Sequence, residues 1–150
     1  MRPYLPGLHL EVGQIYSSNR EWPTAEELFR QETQLQPGNA EAAFRLGDAL
    51  MQQGKMREAL PELLRADKLR PDMPETLYDL GKSALHLGPS EAERALLRVT
   101  QLEQESKLAA QAYQALATLH RKQGKSELAS KDMKKFQRIQ AQVQQTAGKN

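Results

Sequence analysis

Apolar and small residues return along this chain at helical spacing, in stripes punctuated by proline, glycine and asparagine. Leu8, Val12, Ile15 and Tyr16 predict a helix over about Leu8–Ser18. Ala25, Leu28, Phe29 and Leu35 predict a second helix after Pro23, ended by Pro37-Gly38, with Thr24 and Glu27 spaced as a capping box. Asn39 caps a third helix running to about Gln53, with Ala43, Leu46, Gly47 and Leu50 as its packed stripe, and Gly54 suits the left-handed turn that ends it. A fourth spans about Met56 to Arg70, with Pro61 near its first turn, where a missing N–H costs little. Pro74 opens a fifth helix and Gly88 closes it, and Ser90 with Glu93 makes a second capping box on the sixth. A seventh covers about Lys107 to Gln123, with Ala109, Tyr113, Leu116, Ala117 and His120 on one face. An eighth runs from Ser126 to roughly Gln145, before a frayed tail of Ala147 to Asn150.

These helices come in register. Gly13, Gly47 and Gly81 are 34 residues apart, as are Gly54 and Gly88, and Pro37 and Pro71. A fixed period of this length with small residues in step marks a helix–turn–helix repeat array. Small residues such as Gly47 and Ala59 let paired helices approach at the short end of the ~8–10 Å interaxial range. The pattern resembles the tetratricopeptide repeat (TPR) family, over residues 6 to about 140. The resemblance implies an all-α, right-handed helix–turn–helix superhelical solenoid forming one domain. Its four repeats would be about 6–39, 40–73, 74–105 and 106–140, with a long C-terminal capping helix and a polar tail at 141–150.

Four departures from the family pattern carry expectations of their own. Glu32 stands where a small residue makes a close helix contact, so that face should be solvated or covered by something outside this chain. Ala92 matches Ala59 only after a one-residue deletion. Gln104 replaces the closing proline, which lets the sixth helix run on or its turn open. Ala117 replaces the contact glycine of the fourth repeat.

Composition narrows the picture. An aromatic content of 5% is thin for a globular core and fits helix pairs that each bury a modest face on their neighbours. No cysteine means no disulfide, thiolate zinc site or cysteine nucleophile. No apolar run nears the ~20 residues needed to cross a bilayer, and the N-terminus lacks a signal-peptide core, leaving the compartment open. The first helix begins so close to the start that the chain reads as a fragment of a longer protein. Residues 1–120 carry 13 basic and 17 acidic side chains, whereas residues 121–150 carry 8 and 2.

Catalytic chemistry is not visible. His9, His86 and His120 stand apart from one another and from metal-ligand spacing, and read as ordinary helix residues. Glu26-Glu27 and Glu91/Glu93 read as first-turn carboxylates that complement a helix dipole. No phosphate loop or nucleophile elbow occurs. The chain reads as non-enzymatic, without cofactor or metal. Lys131, Lys134, Lys135 and Arg138 share one face of the last helix. With no interleaved aromatics they read as a solvated outer face, and nucleic acid or an anionic surface is the alternative partner.

The TPR resemblance implies a concave face lined by the first helix of each repeat, binding a peptide or helix of another protein. At repeat spacing, shifted in the fourth repeat, this gives three rows: Leu10, Phe44, Tyr78 and Gln114; Gln14, Asp48, Lys82 and Thr118; and Ser17, Met51, Leu85 and Arg121. Independently, at 100° per residue, Phe44 and Met51 fall on a flank of the third helix's packed stripe. Apolar anchors beside Glu41, Asp48, Glu75, Asp79 and Lys82 suit such a groove. The positions of a carboxylate clamp hold Leu10, Gln14, Arg45, Glu75 and Asp79, which argues against an acidic chaperone tail as partner. A spacer or self-association role, including a homo-oligomer, is the structural alternative.

Overall fold

The structure, a computed structural model, describes residues 4–149. Among them are eight helices and no strand: α1 (Leu8–Ser18), α2 (Trp22–Leu35), α3 (Ala40–Gln52), α4 (Met56–Leu69), α5 (Pro74–Ala84), α6 (Pro89–Leu102), α7 (Lys107–Lys122) and α8 (Ser126–Ala147). The helical stripes therefore all became helices, and α1 with α2, α3 with α4 and α7 with α8 form hairpins. Two compact units divide the chain, one up to Asp79 and one from Leu80, with the division inside α5.

In the first unit α1 packs on α2, α2 on α3 and α3 on α4. The repeated glycines explain the closeness. A Cβ added at Gly13 would lie 2.5 Å from the Phe29 ring, and one at Gly47 would lie 2.6 Å from Leu63. In the second unit Gly81 meets Leu96 in the same way, at 2.5 Å. The partner spacing is thus 34 and then 33 residues, which places the expected deletion in the third repeat. Ala25, Ala59 and Ala92 are all fully buried. The second unit continues with α6 against α7 and α7 against α8. Its core includes Ala109 and Ile139, with Tyr113, Phe136 and Val143 packed against them.

Several local expectations are corrected. Neither capping box forms. α2 starts at Trp22 with Pro23 in its first turn, so Thr24 and Glu27 already lie inside the helix, and the Glu21 N-cap makes no side-chain bond. α6 starts at Pro89 behind Gly88, which moves Ser90 and Glu93 inside as well. Side-chain caps form at Asn39, which accepts from the Ala42 amide at 3.1 Å, and at Ser106, which accepts from the Ala109 amide at 3.0 Å. Glu26 and Glu93 fall beyond the first turn and serve as ion-pair partners instead. Pro61 sits in the second turn of α4, so the Arg57 carbonyl loses its intrahelical partner. Gly54 has φ 75°, as expected, and Gly124 has φ 74°. Gly88 does not close α5: that helix ends at Ala84, and Gly88 is the extended residue (φ −152°) before α6. Losing the closing proline does not lengthen α6. Glu103 turns extended and donates to the Val99 carbonyl, as Arg70 does to Ala66 and Gln36 to Glu32.

α1 is less embedded than its stripe predicts. Gly13 is its one buried residue, Val12 and Tyr16 are half-buried, and Leu8 and Ile15 are exposed. Within its unit this helix packs on α2.

Glu32 departs furthest from expectation. It is fully buried, neither solvated nor waiting for an outside cover. The segment before α1 folds over it: the Tyr4 hydroxyl and the Gly7 amide each donate to Oε1 at 3.0 Å, and Gln36 donates from one turn below. His9 Nδ1 stands 3.6 Å from Oε2. Burial pushes this carboxyl's pKa up, but the hydrogen bonds from Gly7, Tyr4 and Gln36 outweigh it and hold the group below the usual carboxylate value.

Candidate functional site

The first unit carries a cleft of about 360 Å³ where the start of α3, the end of α4 and the start of α5 meet. Phe44 forms one wall, and its flank position on α3 leaves the ring half-buried, as the angular argument requires. The Arg45 guanidinium lies 5.5 Å from the centroid of that ring and is itself held by Glu41 at 2.7 Å. Arg70, Met73 and Glu75 complete the rim. Two arginines and two glutamates therefore line the cleft around an aromatic wall, a lining that is neither acidic nor basic overall.

The remaining predicted site residues distribute unevenly. Leu10 and Gln14 on α1, Asp48 and Met51 on α3, and Tyr78 on α5 are half-buried members of the first unit, and none of them lines this cleft. Burial, with the Asp79 charge after it, pushes the Tyr78 phenol's pKa up. Lys82 is exposed in the last turn of α5. Leu85 lies past the end of α5, so it does not continue a helical row. Thr118 and Arg121 are exposed on α7 in the second unit. The sequence reading missed Arg70 and Met73 because they follow or flank a helix end, outside the first helices that the repeat pattern singles out.

Two charged clusters also escaped the sequence reading. In the first unit Glu26 accepts from Lys55 and Gln53 at 2.9 and 2.7 Å, and from Arg30 at 2.9 Å. Burial raises its pKa, but the bonds from Lys55, Arg30 and Gln53 prevail and bring it to about 2. In the second unit His120, expected to be an ordinary helix residue, is 4% exposed and bonded at both ring nitrogens. Nδ1 meets Asp132 of α8 at 2.6 Å and Nε2 meets Glu93 of α6 at 2.9 Å, with Lys125 Nζ 4.0 Å from the same Glu93 oxygen. Only the imidazolium can donate to two carboxylates at once. Burial lowers the His120 pKa, but the hydrogen bonds with Glu93 and Asp132 outweigh it and raise the value above the ordinary one. Spacings of 27 and 12 residues carry no motif, so no sequence signal identified this cluster.

Among the described residues no group of three His, Cys, Asp or Glu side chains could hold a metal ion, and no helix is long and apolar enough to cross a membrane. On α8 the exposed Lys135 lies 5.1 Å over the Tyr113 ring. Lys131, Lys134 and Arg138 are exposed on the same helix.

Comparison with known families supplies the remaining observation. Tetratricopeptide repeat models match residues 10–74 and 110–143. The chain belongs to the tetratricopeptide repeat family. Solved structures agree on the fold. MamA MSR-1 shares 21% identity over 93% of this chain and 79% of its own, with a TM-score of 0.82. MamA from Desulfovibrio magneticus RS-1 shares 18% identity over 92% of this chain and 77% of its own, with a TM-score of 0.83. YrrB, described as a TPR protein with an unusual peptide-binding site, shares 21% over 95% and 73%, with a TM-score of 0.81. No curated protein sequence matches the chain. The TPR fold is a protein-interaction scaffold.

Proposed function

We propose that this TPR chain is a non-catalytic scaffold that holds a peptide or helix of a partner protein in the cleft beside Phe44. The observation that carries the reading is the cleft itself: a half-buried aromatic wall where the starts of α3 and α5 meet the end of α4, lined by arginine and glutamate side chains. Aromatic walls of this kind commonly dominate affinity, while surrounding ion pairs set orientation. Glu41 and Glu75 at the rim disfavour a purely acidic ligand, so the fitting segment carries an apolar anchor flanked by charges of both signs. Leu10, Gln14, Asp48, Met51 and Tyr78 are the first-unit positions through which such a surface would extend. Lys82, Leu85, Thr118 and Arg121 belong to the second unit. The peptide-binding description of YrrB adds support by analogy of fold.

The experiment is capture of partners from the source lysate with wild type and Phe44→Ala, followed by titration of each captured protein against both. Loss of at least about tenfold in affinity, with an unchanged far-UV spectrum, is expected for an aromatic anchor. Equal affinity would remove the cleft as the site.

A further inference from the structure

The first and last helices each present a face whose equivalents inside the repeats are buried. On α1, Leu8 and Ile15 lie seven residues apart on the side away from Gly13, and they are 45% and 62% exposed. One repeat later the same positions are Ala42 and Ala49, both fully buried. Glu11 is exposed between them, and α1 contains no lysine or arginine.

On α8, Met133 and Phe136 follow Ala129 by four and seven residues, as Leu63 and Ala66 follow Ala59. Leu63 and Ala66 are buried, whereas Met133 and Phe136 are half-exposed. They line two clefts along the α7–α8 seam, of about 430 and 420 Å³. Arg121 and Lys134 line the first and Lys107 the second, and no carboxylate lines either.

Charge and geometry match these two faces. Residues 1–79 carry 9 basic and 13 acidic side chains, and residues 80–150 carry 12 and 6. Within each unit, the first helix of one hairpin packs on the second helix of the hairpin before it, α3 on α2 and α7 on α6. α1 is a first helix and α8 a second. Leu8 and Ile15 are about 10 Å apart along their axis, as are Met133 and Gln140, one in each cleft.

We propose that α1 of a second copy seats in the α7–α8 seam, so that copies associate head to tail. Leu8 and Ile15 fill the two clefts, and Glu11 meets the cations that line them. The contact repeats between molecules the packing that each unit makes internally. It is heterologous, since the two surfaces differ, and each added copy leaves one face of each kind free.

Sedimentation of the full chain at low salt tests this with complementary variants. Wild type is expected to exceed its 16.9 kDa mass progressively as concentration rises, and to dissociate in high salt, which screens the charges. Leu8→Lys/Ile15→Lys alone and Arg121→Glu/Lys134→Glu alone should each be monomeric. Their mixture should form a 1:1 dimer and nothing larger, because it contains one intact face of each kind. All four positions are exposed, and circular dichroism checks that both variants fold. Wild type that stays monomeric, either variant that still associates, or a mixture that stays monomeric overturns the proposal. Phe44→Ala should associate normally; if it does not, the contact lies at the first-unit cleft and this assignment fails while the cleft stands.

Discussion

Replacing His120 with alanine isolates the cluster in the second unit. The change leaves Asp132, itself buried, without the cation 2.6 Å away that compensates its charge. Removing one partner of a buried ion pair costs about 3–5 kcal/mol. Glu93 is partly exposed and can be rehydrated, which places the expected loss near 3 kcal/mol, the low end of that range. For a chain of this length that lowers the melting temperature by about 10 °C. The pH dependence gives the sharper test. The His120 pKa is raised in the folded chain, so the stability it contributes is fully present below its ordinary value of 6.5. That contribution is lost as pH rises through the folded value, where a neutral ring can no longer donate to both Asp132 and Glu93. Urea denaturation of wild type and variant at about pH 6 and about pH 9 should therefore show a stability gap that is widest at the lower pH and narrows at the higher. A gap that stays constant, or widens towards alkaline pH, would refute the assignment of His120 as a folded-state imidazolium.

Three further outcomes follow from the packing and the charges. Gly47→Ala places a methyl 2.6 Å from Leu63; overpacking of about 1–3 kcal/mol should outweigh a helix-propensity gain of about 1 kcal/mol. Gly38→Ala, which meets nothing within 4 Å, is its control in the same urea titration. Glu32→Gln should cost about 2–3 kcal/mol at neutral pH by weakening charge-assisted bonds from Gly7 and Tyr4. Because the folded pKa of Glu32 is lowered, that cost is present above about 4.5 and disappears as pH falls through the folded value; a cost unchanged in acid would contradict it. Lys55→Ala should move the Glu26 carboxyl from about 2 towards its ordinary 4.5, read by carboxyl-carbon NMR titration; no movement would show that Arg30 and Gln53 suffice.

The architecture was legible because the repeat imposes the same packing three times. Gly13, Gly47 and Gly81 are needed wherever two helices touch closely, and their partners Phe29, Leu63 and Leu96 inherit the spacing. The flank position of Phe44 followed from helix geometry alone. Capping was less legible, since Thr24 and Ser90 each stand behind a proline that moves the helix start upstream. Long-range polar contacts were invisible for a different reason. Glu32 Oε1 accepts from Tyr4 and Gly7, 28 and 25 residues away, and nothing in local spacing announces a chain segment folding back over a carboxylate.

Both buried ionic networks nevertheless occupy positions that the repeat defines. Glu32 stands where Ala66 and Val99 stand in the second and third repeats, seven residues after the buried alanine (Ala25, Ala59, Ala92), and both of those are buried apolar contacts. His120 stands three residues after Ala117, where Leu50 and Ala84 follow Gly47 and Gly81, again as buried apolar residues. The central repeats thus fill these positions with hydrocarbon, and the first and last repeats fill them with a charge tied to a distant segment. A buried ion pair is weak evidence for net stability, because desolvation consumes most of its Coulombic gain. What it supplies is directional: Glu32 accepts from Tyr4 and Gly7 only where that segment reaches it, and His120 bridges only when α6 and α8 are both in register. An apolar contact tolerates sliding by part of a turn; hydrogen bonds of 2.6 and 2.9 Å to the two ring nitrogens do not. In the outer repeats, these polar contacts fix the register of the segments that join them.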